Sequence, residues 1–264
     1  MNKKTEAVTP PQTISRVLDV AGEELVLVGG QALAFWVQRF TLVQTSRTIP
    51  AITNDIDFLS PSSSGRAAVR RLAGAISGKV LYPNKRALTA LVGQAYLEIS
   101  DEEYINIDVL WKLIGPTSAR VRERAILVRQ PGEHPPFHVM HPLDVLHSRM
   151  INLHKLPEKQ NDKGRMQLAL AIDVARAFLQ DEASRIDAAA VASGRSPLQD
   201  YVSAIEHMAV LDAGRKVARR HQLHVADAID PTLIPAGPFW TKRWPALKDL
   251  MSPKYAANFA PPGT

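Results

Sequence analysis

The apolar run Leu25-Val26-Leu27-Val28 stops abruptly at Gly29-Gly30, which predicts a buried strand ending in a tight turn. Ahead of it, Ile14 to Leu18 reads as a short helix. Behind it, Leu33, Val37 and Phe40 fall at helical spacing within Gln31 to Val43, and Phe35 and Trp36 add bulk. The polar stretch Gln44 to Thr53, broken by Pro50, reads as a loop leading into a strand over Asp55 to Leu59. Pro61-Ser62-Ser63-Ser64-Gly65 supplies a turn and a helix cap before a helix over Ala67 to Ile76. Short strands are predicted over Lys79 to Tyr82, Gln94 to Ile99, Tyr104 to Leu110, Ala125 to Val128 and Phe137 to Met140.

Beyond His141-Pro142 the strand signals disappear and helical periodicity takes over. Met166, Leu170, Val174 and Phe178 recur every fourth residue and mark one face of a helix running to about Gln180. Ser196-Pro197 opens another, carrying Val202, Ile205, Ala209 and Asp212 toward a basic end. A short helix is expected around Trp244 to Met251, within a tail rich in proline and aromatics. The pattern therefore predicts an α+β chain. Residues 1–140 form a mixed sheet flanked by helices, and residues 141–264 a mainly helical region.

Composition narrows the chemistry. The 264 residues are 45% hydrophobic and 22% charged, ordinary for a globular protein with a buried core. The sequence contains no cysteine, which removes disulfides, thiolate metal sites and cysteine nucleophiles. No apolar signal core follows the basic start Met1-Asn2-Lys3-Lys4, and no run is long enough to span a membrane, so a cytoplasmic protein is expected. A net charge of +6 and a pI near 9.6 favour anionic partners such as NTPs or RNA.

Within Thr53-Asn54-Asp55-Ile56-Asp57-Phe58-Leu59, strand alternation sends Asp55 and Asp57 to one face, opposite Ile56 and Phe58. Paired carboxylates repel unless protonated, solvated or bridged, so such a pair suits a hard cation. A lone Asp-x-Asp is also what a solvated strand face looks like. Asp108 stands among apolar neighbours in Tyr104 to Leu110, where an unpaired buried carboxylate is costly. It either caps a loop, pairs with an arginine, or completes a three-carboxylate cluster able to hold two Mg²⁺ ions. Gly29-Gly30-Gln31, at the passage from strand to helix, is either a simple tight turn or a place where backbone N–H groups receive a phosphate.

Taken together, these residues resemble the polymerase-β nucleotidyltransferase superfamily: an apolar strand, Gly-Gly, Asp-x-Asp, then one Asp on a later strand. The runs Leu27 to Trp36 and Asn54 to Phe58 resemble most the bacterial AbiEii/AbiGii-type toxins, nucleotidyltransferases of abortive infection and toxin-antitoxin systems. The resemblance is specific over Leu25 to Leu110. It implies a nucleotidyltransferase fold with Asp55, Asp57 and Asp108 as metal-binding catalytic carboxylates for Mg²⁺, or Mn²⁺ in its place. It further implies transfer of an NMP from an NTP to tRNA or a protein, and an antitoxin partner. Two departures stand out. Gly30 and Asp55 are further apart than in compact members, which makes Gln44 to Thr53 an insertion. The lysine and basic-acidic motif that such toxins direct at the triphosphate has no unique counterpart, and Lys155, Lys163 and Arg165 are the candidates.

Arg215, Lys216, Arg219, Arg220 and His221 form a basic helix end, either a solvated C-terminus favoured by the helix dipole or a contact for acceptor RNA. The series His134, His138, His141, His147 and His154 matches no common zinc spacing. Neither a Gly-x-x-x-x-Gly-Lys-Ser/Thr phosphate loop nor a Gly-x-Ser-x-Gly elbow is present. Two rivals remain beside the macromolecular transferase: a small-molecule (antibiotic) adenylyltransferase, and a non-catalytic NTP-binding module of the same fold.

Overall fold

In a computed structural model the described residues are 4–42, 53–61, 65–84, 86–130, 134–186, 197–235 and 237–261. They form two compact units, residues 1–38 with 43–148, and residues 39–42 with 149–264.

The first unit is built on a mixed eight-stranded sheet. Its strands are β1 Thr5–Glu6, β2 Val26–Val28, β3 Ile56–Leu59, β4 Lys79–Leu81, β5 Leu91–Glu98, β6 Glu103–Leu110, β7 Ile126–Gln130 and β8 His134–Val139. The order is β4-β5-β6-β3-β2-β8-β7, with β1 parallel to the start of β6. β3 runs parallel to β6 and antiparallel to β2, and β2 runs parallel to β8.

Strands β3 and β6 follow from alternation, whereas β2 is buried throughout. Ile56 and Phe58 of β3 and Ile105, Ile107 and Val109 of β6 are at most 2% exposed. Their shared face is the apolar one. Helices α1 (Pro11–Ala21) and α3 (Gly65–Ala75) pack on each other, and α3 packs on β5 and β6. Between them in sequence, α2 (Gly29–Arg39) leaves β2 without a linker and buries Ala32, Leu33, Trp36 and Val37. Trp36 Nε1 donates to the Met140 carbonyl at 2.8 Å, tying α2 to the chain just past β8. After β6 comes the short α4 (Ser118–Arg124), capped by Thr117.

The division between the units falls between Ser148 and Arg149, inside α5 (Pro142–Lys155), not at 140/141. Arg120 and Arg124 of α4 hold Asp144, so the first turns of α5 belong with the sheet.

The second unit is helical: the end of α5, α6 (Asp162–Arg185), α7 (Pro197–Val210), α8 (Asp212–His221), α9 (Trp244–Lys248) and α10 (Pro253–Ala256). The helix expected to run through Asp212 ends at Val210, and a new one starts at Asp212. α6 extends past Gln180 to Arg185. Its buried face is broader than the one predicted, taking in Leu168, Ala171, Ile172, Val174, Ala175, Phe178 and Leu179, with Met166 and Leu170 half-buried. Among the described residues no helix is long and apolar enough to cross a membrane.

Candidate active site

Strand pairing sets Asp57 between two partners. Its Cα is in register with Val28 of β2 on one side and with Asp108 of β6 on the other. Val28 is the last residue before Gly29, so the Asp57 carboxylate meets the glycine turn. A Cβ added at Gly29 would overlap Asp57 Oδ2. Gly29 also has φ of +67°, a backbone conformation unfavourable for any residue with a side chain. Gly30 is closed in the same way by Thr53, whose side chain a Cβ there would overlap. Because α2 starts at Gly29, the positive end of its dipole lies beside the Asp57 carboxylate. Gln31 follows in the first turn of α2, half-buried.

Asp55 lies one residue ahead of β3, where Thr53 Oγ1 donates to its Oδ1. Asp108 is half-buried, and its Oδ1 accepts from Gln94 Nε2 and Asn106 Nδ2, each at 2.8 Å. Burial raises the Asp108 carboxyl above its ordinary range. The two amides oppose that rise, and the nearby charge of Asp55 adds to it. Asp55 and Asp108 are thus close enough to repel, although Asp108 is in β6 and Asp55 precedes β3.

The donor chemistry fits a hard divalent cation, since carboxylate oxygens are what Mg²⁺ selects. Two observations agree with such an ion. Asn106 Oδ1, beside Asp108, is buried without a hydrogen-bond partner and could accept from a cation's water. Both amide bonds to Asp108 end on Oδ1, so Oδ2 is the oxygen available to a ligand. As the side chains stand, no three His, Asp or Glu groups are gathered as ligands among the described residues. Asp55 Oδ1 accepts from Thr53, and Asp108 Oδ1 from its two amides.

The basic candidates all lie in the second unit. Lys155, Lys163 and Arg165 are exposed, and Arg165 pairs with Asp162. On α8, Lys216 pairs with Asp212 at 2.8 Å, while Arg215, Arg219 and Arg220 are exposed. The two groups share one electrostatic neighbourhood. Burial lowers the His221 pKa, and Arg165 and Arg220 push it further down. Burial likewise lowers His154, with Lys216, Arg220 and Lys155 adding to the fall and Asp212 opposing it. Residues some sixty positions apart in sequence therefore form one basic surface.

The histidine series disperses. His134 opens β8, His138 donates from Nδ1 to the Glu23 carbonyl at 2.8 Å, and His147 and His154 lie along α5. His141 instead belongs to a buried polar network that the sequence reading missed. Its Nδ1 accepts from Leu143 N at 3.1 Å and from Arg124 Nη2 at 3.2 Å, which places the proton on Nε2. Arg124 Nη1 and Arg120 Nε reach Asp144 Oδ1 at 3.1 and 3.3 Å, and Asp144 is fully buried. Burial, then Arg124 and Arg120, lower the His141 pKa to about 3. The i, i+4 arginines and the i, i+3 His-Asp pair were the available signals.

No protein-family model matches the chain, and no curated protein matches it.

Proposed function

We propose that the chain is a Mg²⁺-dependent nucleotidyltransferase with the polymerase-β nucleotidyltransferase fold. It transfers an NMP from an NTP to a macromolecular acceptor, tRNA or protein, in the manner of an abortive-infection toxin. The reading rests on one relationship: Asp57 lies in register with Asp108 and with the residue that precedes the Gly29-Gly30 turn. A carboxylate pair and the strand-to-helix turn are thereby neighbours.

Asp55, Asp57 and Asp108 would hold the Mg²⁺, which neutralises charge on the triphosphate when bound. The Gly29-Gly30-Gln31 turn supplies backbone N–H groups and the positive end of α2 for a phosphate beside Asp57. Asp108, through Oδ2, accepts the proton of the attacking hydroxyl. A bond forms between that oxygen and the α-phosphorus, the bond from the α-phosphorus to the bridging oxygen breaks, and pyrophosphate leaves. The basic surface of the second unit supplies contacts for acceptor phosphates.

Incubation with each α-labelled NTP, Mg²⁺ and total RNA or cell lysate tests the reading. Label in an RNA or a protein supports it and identifies the acceptor. Absence of label with all four NTPs and both acceptor pools rejects it.

A further inference from the structure

Of the four tryptophans, Trp36, Trp240 and Trp244 are 5%, 6% and 4% exposed, whereas Trp111 is 46% exposed. Trp111 directly follows β6. Its exposure is not looseness, because its backbone N–H donates to the Ala90 carbonyl at 2.9 Å and its Nε1 to the Thr89 carbonyl at 3.0 Å. An indole whose N–H is already satisfied offers its flat face rather than its polar edge.

Trp111 lines a cavity of about 430 Å³ together with Lys112, Gly115, Ser118 and Arg122. That volume lies in the range of small-molecule sites. Lys112 Nζ stands 5.9 Å from the indole centroid. Among the described residues neither Lys112 nor Arg122 has a carboxylate partner, and Ser118 Oγ is buried without a hydrogen bond. The cavity therefore combines an aromatic face, two cations with no carboxylate partner among the described residues, and a hydroxyl with no hydrogen bond among them.

We infer that this cavity is a nucleotide-binding subsite. The base stacks on Trp111 in place of the Lys112 ammonium, and the phosphate lies with Lys112, Arg122 and the Ser118 hydroxyl. A bare anion has no use for the indole, and an apolar partner has none for the two cations. A planar base joined to a phosphate uses both. The ligand is either a free nucleotide or one unit of a single-stranded polynucleotide. Binding needs no chemistry at the aspartates, so this inference and nucleotidyl transfer fail separately.

Because the other tryptophans are buried, iodide-accessible indole fluorescence reports on Trp111. The full chain is titrated with inorganic phosphate, UMP and a short oligouridylate, and a labelled oligouridylate and labelled UMP are followed by anisotropy. The expected result is saturable quenching by UMP or oligouridylate, with loss of iodide access, and none by phosphate. Trp111→Ala lowers affinity about tenfold, and Trp111→Phe restores most of it. Arg122→Gln lowers affinity and reduces the salt slope by about one. Asp57→Asn leaves the quenching in place, which separates this cavity from the aspartate site. Tighter binding of oligouridylate than of UMP at equal nucleotide concentration identifies the polynucleotide as ligand, and equal binding identifies the free nucleotide. Absence of quenching by either at millimolar nucleotide overturns the inference. So does unchanged affinity in a folded Trp111→Ala or Arg122→Gln variant.

Discussion

Asp57 and Asp108 are cross-strand neighbours on the parallel pair β3 and β6, with their Cα atoms in register. Both stand on the face opposite the buried Ile56, Phe58, Ile107 and Val109. Two carboxylates thus meet across this strand pair, at the point where β2 turns into α2.

Charge at that meeting point opposes folding and serves binding. The raised pKa of Asp108 means that its ionised form is disfavoured in the folded state at neutral pH. Asp108→Asn keeps the shape, removes that cost and is expected to raise Tm, while transfer falls by about a hundredfold or more. Combined with Asp57→Asn, the loss of transfer should be far less than the product of the single losses, as for groups acting as one site. Thermal melts and initial rates on the three variants check this. An unchanged rate in either single variant contradicts the shared role.

Glycine is required at Gly29 for two reasons, its positive φ and the carboxylate that occupies the space of a Cβ. Gly29→Ala should cost about 1–2 kcal/mol from the dihedral alone, with a further loss from displacing Asp57. Gly74, near the end of α3, has nothing within 4 Å of its Cβ position, so Gly74→Ala should gain about 0.5–1 kcal/mol. Urea unfolding of both variants measures the contrast. Equal effects would show that the turn tolerates a side chain.

Much of this arrangement was legible because strand alternation is local. Asp57 and Asp108 could each be assigned to a strand from their own neighbours, and the strand-Gly-Gly-helix passage could be read directly. The loop expected over Gln44 to Thr53 lies outside the described residues apart from Thr53, and so do Ser62, Ser63 and Ser64 of the expected helix cap. What stayed hidden depends on register and long-range packing. Gln94 reaches Asp108 only through the pairing of β5 with β6. Arg124 meets Asp144 across a hairpin, which moves the first turns of α5 into the sheet unit. Arg165 meets His221 only once the helices of the second unit pack.

The buried His141 ring gives a pH dependence of definite sign. The unfolded chain takes up a proton near pH 6.5, and the folded chain does so only at about pH 3. Its contribution to stability is complete above pH 6.5 and is lost as pH falls toward 3, by up to about 1.4 kcal/mol per pH unit. The groups facing it are Arg124 and Arg120, with Asp144 neutralising part of their charge. His141→Asn offers an amide oxygen in place of Nδ1 and cannot titrate. Urea unfolding between pH 7 and 4 should give a shallower fall for the variant than for the parent, and identical slopes would contradict the assignment.

The basic surface of the second unit separates RNA from protein as the acceptor. If RNA binds there, replacing Arg215, Lys216, Arg219 and Arg220 with Gln should weaken RNA binding and flatten its dependence on salt. NTP affinity should hardly change. RNA titrations across a salt series measure this, and unchanged slopes in a folded variant would leave these residues as solvated surface.

The most direct measurement follows the fate of each phosphate of the NTP. The same reaction is run with α-labelled and with γ-labelled NTP, in the parent and in Asp57→Asn. For nucleotidyl transfer the α-label enters the acceptor and the γ-label leaves in pyrophosphate, in equal amounts, and both events vanish in Asp57→Asn. Entry of the γ-label into the acceptor, or undiminished α-label transfer by Asp57→Asn, would contradict the proposed chemistry.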